Sequence, residues 1–252
     1  MRDVDSAIAE VAPFEVRLGD KNTEFSGSVR MISEVALSFG VVLTEQERRD
    51  WQTLGRASYI IDQYLDAEKN TPMPDIAAEL FSDRSIPGIP EEFRNDCRDW
   101  LERQSEERQH EINSQLAEVR LLVEAQAAAT SVAEVVRIRR REAELLANIL
   151  SLSPEDRSDV VAREKFNTWL KVGMRTGYLL DSLLDIKEDY ESGGSALKPG
   201  VVTSSKMVAY LLRETVAAAC VSPRALGKGA LIMARYSIKK IKPDFSNPET
   251  VI

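Results

Sequence analysis

Asp181, Asp185, Glu188 and Asp189 lie close together in the run from Gly177 to Tyr190. At about 100° per residue, these four acids fall within an arc of about 100° on one helix face. Like charges one turn apart repel by a few tenths of a kcal/mol on an exposed helix, and by more where water is scarce. The row therefore requires a compensating cation. The rest of this helix carries Leu179, Leu180, Leu183, Leu184 and Ile186, so it is expected to be apolar nearly all round and buried. Asp62 and Asp66 repeat the spacing amid Tyr59, Ile60, Ile61 and Leu65. Hard oxygen donors on facing helices suit Mg²⁺, which commonly joins a few carboxylates to substrate phosphates while keeping some water. Mg²⁺ is thus the expected cofactor, with Asp62, Asp66, Asp181, Asp185, Glu188 and Asp189 as its ligands and a diphosphate as the group it binds. One or two turns back on the same faces stand Gly55, Ser58 and Tyr59 on one helix, and Met174 and Tyr178 on the other. These are expected to line a cavity below the metals.

The rest of the composition narrows the chemistry. A single histidine, His110, rules out multi-histidine metal sites and leaves catalysis to carboxylates. Glu107 and His110 have the spacing of a di-iron helical element, but such sites need two histidines. Cys97 and Cys220 show no Cys-x-x-Cys pattern and are expected to be buried free thiols. The net charge of -8 provides no global field for nucleic acid or an anionic membrane. No run reaches the roughly 18 apolar residues of a membrane span, and the acidic Met1 to Asp5 segment does not resemble a signal peptide. A cytoplasmic location is the expectation.

The elements that must hold these residues are helical. Glycine and proline are sparse and cluster at a few breaks, notably Pro72 and Pro74, Pro87 to Pro90, Pro154, Gly193 to Gly200, and Pro223. Between the breaks apolar residues recur every three or four positions, and no alternating strand pattern appears. Thr44 to Glu47 has the form of a capping box, and Ser153-Pro154-Glu155-Asp156 places proline at a first helical position, so helices are expected to open near 44 and 154. Ser105 to Arg108 lacks the acid of a capping box. Glu91 to Thr130 has no proline or glycine and predicts one long helix or two nearly collinear ones. The expected fold is all-α: a single domain over 1–252, one large helical bundle of about seven to nine helices around a central apolar cavity. Residues 1–25 form a loosely ordered N-terminal segment in this reading, and a homodimer is compatible with it.

At the two acidic segments the chain resembles the all-α isoprenoid synthase superfamily, in particular class I terpene synthases and squalene/phytoene synthases. Asp62-x-x-x-Asp66 resembles the first aspartate-rich motif. Leu183 to Asp189 resembles the second motif of the phytoene synthase type, with Asp185-x-x-x-Asp189 as its core and Asp181 one turn earlier. The resemblance covers about 25 residues in two places, together with helix number and order. Leu184 stands where phytoene synthases usually place an arginine, and there is no adjacent Asp-Asp pair. The resemblance implies an isoprenoid synthase-like bundle in which magnesium ions clamp a prenyl diphosphate between the two motifs. Asp62, Asp66, Asp185 and Asp189 would be the catalytic acids of a terpene synthase, a lyase or transferase of isoprenoid biosynthesis. Ionisation would leave an allylic cation to cyclise or couple. Arg235-Tyr236 resembles the arginine-tyrosine pair found late in many terpene synthases. It joins Arg175, Tyr59, Tyr178 and Met174 as a candidate contact for the substrate, with Arg137, Arg139, Arg140 and Arg141 as further basic candidates. Arg137, Arg141, Glu144 and Asn148 share a face that is expected to turn inward. Two other readings remain: an all-α nucleotide pyrophosphohydrolase, and a non-catalytic helical interaction protein that pairs through Glu91 to Thr130.

Overall fold

The computed structural model describes residue 29 and residues 32–67, 89–152, 159–193 and 195–230. Regular structure among these residues is entirely helical, as the apolar periodicity predicts. The helices are α1 over residues 32–38, α2 Glu45–Ala67, α3 Glu91–Glu102, α4 Glu106–Ala128, α5 Val132–Ile149, α6 Val160–Ser192, α7 Val201–Val221 and α8 over residues 223–230. Residues 1–25 and the second expected helix start, Ser153 to Asp156, lie outside the described residues. The chain divides into two compact units, one comprising Met1–Val29 and Thr44–Ala125, the other Arg30–Leu43 and Gln126–Ile252.

In the first unit α2 opens at Thr44 as expected. The Thr44 hydroxyl accepts the Glu47 N–H at 3.1 Å, and the Glu47 carboxylate accepts the Thr44 N–H at 2.7 Å, so two orphan donors are satisfied reciprocally. Helix α2 packs against α3. Leu54, Ala57 and Ile60 are buried on α2, and Phe93, Cys97, Trp100 and Leu101 on α3, each set at the three-to-four spacing that makes one continuous face. Arg103 donates to Asp50 at 2.7 Å beside this seam. The Glu91 to Thr130 stretch is two helices. Ser105 ends the first by capping the second: its hydroxyl accepts the Arg108 N–H at 3.3 Å, without the reciprocal acid of a full box.

In the second unit α6 packs along both α5 and α7, and α5 also meets α7. With 33 residues, α6 is about 50 Å long and forms the spine of the unit. A full capping box opens α5, Ser131 with Glu134, and holds the Glu134 carboxyl below its usual range through hydrogen bonds from Ser131 and Thr130. The core gathers Val135, Ile138, Leu145 and Ile149 from α5, Phe166, Trp169, Leu170 and Leu179 from α6, and Met207 from α7. Phe39 meets Phe166 edge-on at 6.1 Å and Trp169 at 6.3 Å. Asn167 pins the loop after α5 by bonding both the N–H and the carbonyl of Leu152. A Cβ on Gly173 would stand 3.3 Å from the Trp169 ring, so the absent side chain is what lets the indole lie along its own helix. Gly193, at φ 79°, takes the left-handed conformation that ends α6.

Two expectations need correction. Helix α6 is not buried all round: Leu179, Ser182 and Ile186 are buried, but Leu184 is 69% exposed and Asp181, Asp185 and Glu188 face outward. Cys220 is exposed; only Cys97 is buried. Burial, with a smaller contribution from Asp96, pushes the Cys97 thiol up to about 12. A thiolate reagent at about pH 8, near the ordinary thiol value, is therefore expected to titrate one thiol in the native protein and a second only after denaturation. Equal rapid labelling of both would contradict the packing of α3.

Candidate functional site

The acidic row of α6 is where the predicted chemistry and the described geometry meet. The helix phase keeps Asp181, Asp185, Glu188 and Asp189 on one side, as the sequence predicts. Asp189 is half-buried, and its carboxyl sits above its ordinary value of 3.8. Burial is the main cause; Arg139 pulls the other way, while Asp185, Asp181 and Glu188 each push it further up. The four acids thus share one field, and Arg139 from α5 is the cation that faces it.

Arg139 is held from several sides. It donates through Nε to the Ser182 hydroxyl at 2.9 Å and through a terminal nitrogen to Glu142 at 2.9 Å. Its guanidinium lies 5.8 Å from the centre of the Tyr178 ring, a cation–π distance. Burial works against its charge, but Glu142, Tyr178 and Asp181 more than offset this and raise its pKa. Tyr178 and Met174 are half-buried on the same helix as the acids.

Arg175 belongs to a neighbouring network within the unit. It donates to Glu144 at 2.9 Å and forms an ion pair with Glu214 of α7 at 3.1 Å. The second contact is too poorly aligned for a hydrogen bond. The other Glu214 oxygen pairs with Arg140, whose guanidinium lies 5.5 Å from the Tyr210 ring centre. The charged residues of α5 that enter the seam are therefore Arg139, Arg140, Glu142 and Glu144. Arg137 and Arg141, expected to turn inward, are exposed, because the buried face of α5 centres on the side of Val132, Val135, Val136 and Ala143, away from both. Sequence reasoning missed Glu142, Ser182, Tyr210 and Glu214. A signal was present: Glu142 falls in the apolar series Val135, Ile138, Leu145, Ile149, and Glu214 in the series Met207, Leu211, Ala218. A charge on a core-facing phase implies a buried partner.

Asp62 and Asp66 lie on the backbone of α2; their side chains and that of Tyr59 are outside the described residues, as are Arg235 and Tyr236. Among the described residues, no three or more histidine, cysteine, aspartate or glutamate side chains are grouped to hold a metal ion. The donor chemistry of the row still fits Mg²⁺, which is commonly bound by one or two carboxylates with substrate phosphates and water completing the octahedron. A polar groove of about 240 Å³ lies along α2 and α3, lined by Gln46, Asp50, Arg56, Asp99 and Arg103 among others. Its lining is ionic rather than apolar. No described helix is long and apolar enough to cross a membrane.

Two outcomes test this electrostatic arrangement. Glu214→Ala would leave Arg140 and Arg175 facing one another without their shared carboxylate, and is expected to destabilise the fold by about 3 kcal/mol in urea unfolding. Arg213→Ala on the exposed side of the same helix should change stability by no more than about 0.5 kcal/mol. Because the folded pKa of Asp189 is raised, its penalty is fully present above that pKa and disappears as the pH falls toward 3.8. In metal-free buffer Asp189→Asn should therefore melt higher than the native protein at neutral pH, with the gap closing near pH 4. No protein-family model, curated protein or solved structure matches the chain.

Proposed function

We propose that this protein is a Mg²⁺-dependent enzyme of the class I terpene synthase type, which ionises a prenyl diphosphate and cyclises or couples the resulting allylic cation. The observation that carries the reading is the α6 row: four carboxylates on one helix face, Asp189 raised chiefly by burial and further by its acidic neighbours, and an arginine and a tyrosine beside them. On this reading the fold is an isoprenoid synthase-like bundle around an apolar chamber, and Asp62 and Asp66 form the second acidic row. Mg²⁺, when bound, supplies the Lewis acidity that draws electrons toward the departing diphosphate. Asp185 and Asp189 hold it, supported by Asp181 and Glu188.

The remaining work falls to the chain's own residues. Negative charge grows on the leaving group as the allylic C–O bond breaks, and fixed donors stabilise it. Arg235 and Tyr236 are assigned that role by their motif, and Arg175 by its charge and place on α6. Tyr178 and Met174 offer a ring face and a polarisable sulfur to the cation that remains.

The test is incubation with geranyl, farnesyl and geranylgeranyl diphosphates, with and without Mg²⁺, with nucleoside triphosphates in parallel, followed by analysis of organic products and released diphosphate. Mg²⁺-dependent consumption of at least one prenyl diphosphate is expected. Asp185→Asn should lower turnover by on the order of 10²-fold or more, since polarisation by a metal is worth several kcal/mol. Consumption of nucleotides alone would assign the pyrophosphohydrolase reading instead. Full activity in Asp185→Asn would overturn the assignment of the row.

A further inference from the structure

Helix α7 presents an apolar face to the outside. On a helical projection Val208, Val201, Leu212, Val216, Ala209 and Val202 occupy an arc of about 120°, interrupted by the exposed Ser205, opposite the buried Met207, Glu214 and Ala218. Val201 is 85% exposed, Leu212 59% and Val216 60%. A surface helix normally carries mostly polar residues there, and a largely apolar exposed face marks an interaction site.

The charged residues of this segment are nearly all of one sign. Residues 195–230 carry five basic side chains, Lys198, Lys206, Arg213, Arg224 and Lys228, and a single acid, Glu214, which is buried between Arg140 and Arg175. Lys198, Lys206, Arg213 and Arg224 are exposed, and Lys206 and Arg213 border the apolar arc. The surrounding chain has net charge -8, so this basic patch stands against the overall balance.

We propose that the outward face of α7, with its flanking basic residues, docks in the plane of an anionic phospholipid surface. An aliphatic stripe edged by lysine and arginine matches an interfacial helix that sinks its apolar side into the acyl boundary and sets its cations against the headgroups. A second copy of the chain fits less well, because a two-fold contact through this face would set the same basic residues against each other. A protein partner also fits less well. The exposed arc is valine, leucine and alanine with Ser205 and Cys220, and lacks the tyrosine and tryptophan anchors that dominate protein interfaces. The inference is independent of any reading of the acidic row.

The full chain is tested by co-sedimentation with phosphatidylcholine vesicles, with and without phosphatidylserine, and by an environment-sensitive fluorophore on Cys220, the exposed thiol on the same arc. Binding to the anionic vesicles is expected to exceed binding to the neutral ones by at least about tenfold, to weaken with added salt, and to shift the Cys220 probe toward an apolar spectrum. Leu212→Gln with Val216→Gln, and separately Lys206→Glu with Arg213→Glu, should each weaken binding by at least about tenfold while native melting temperatures hold, since all four positions are exposed. Absence of vesicle binding, equal binding to both vesicle types, an unshifted Cys220 probe, or variants that bind like the native chain would overturn the proposal. A dimer in gel filtration that Leu212→Gln with Val216→Gln converts to monomer would assign the face to a second copy instead.

Discussion

Charge balance within three packed helices is the constraint on which this protein's second unit rests. Arg139, Arg140 and Arg175 enter the seam among α5, α6 and α7, and so do Glu142, Glu144 and Glu214. The inward network is therefore neutral on its own. Taking ions out of water costs several kcal/mol each, and only close opposite partners make that tolerable. The consequence for the neighbouring acids is direct. Arg139 is already matched by Glu142, so its pull on Asp189 does not neutralise Asp181, Asp185, Glu188 and Asp189, and the row keeps an excess of negative charge. No three of its members converge on one point, so the exposed members of the row meet water.

What the sequence makes legible is what local rules govern. The period of apolar residues marks the helices; Thr44 with Glu47 marks a start, and the glycine at 193 marks an end, because each satisfies backbone groups within a few residues. The acidic face of α6 is legible for the same reason: residues three, four and seven apart on a helix share a side whatever the rest of the chain does. The sequence leaves open whether Glu91 to Thr130 is one helix or two, because a serine hydroxyl alone suffices to cap, even where Arg108 replaces the expected acid.

Partners distant in sequence follow no local rule. Arg139 reaches Ser182 and Arg175 reaches Glu144 only because α5 and α6 lie side by side. A run of four basic residues, at 137 and 139 to 141, shows no sign of which two turn inward; the wide buried face of α5, which takes in Val136, Ala143 and Ala147 as well as Val135, Ile138 and Leu145, decides it. The same phase argument corrects the expectation for Arg137 and Arg141. Leucine content likewise overstates burial on α6. Leu184 is as hydrophobic as Leu179, yet the first is exposed and the second is not, since Leu184 points about 200° away from the buried Ser182 and Ile186 on either side of it.

Ion pairing also determines what α7 shows to the outside. Residues two positions apart on a helix point about 200° from each other. Glu214 must face inward to meet Arg140 and Arg175, so Leu212 and Val216, two positions to either side, must face outward. A rotation of α7 that buried these two aliphatic side chains would carry Glu214 toward water and leave two arginines in the seam with half of their counter-charge. The gain from covering a leucine and a valine is about 3 to 6 kcal/mol together, and breaking a buried ion pair costs about 3 to 5 kcal/mol, so the two terms nearly cancel. The same rotation would expose Met207 and Ala218, which are buried beside Glu214. Ion pairing and apolar burial on the inward face therefore act together to hold the helix in its observed phase, and the exposed stripe is the geometric consequence.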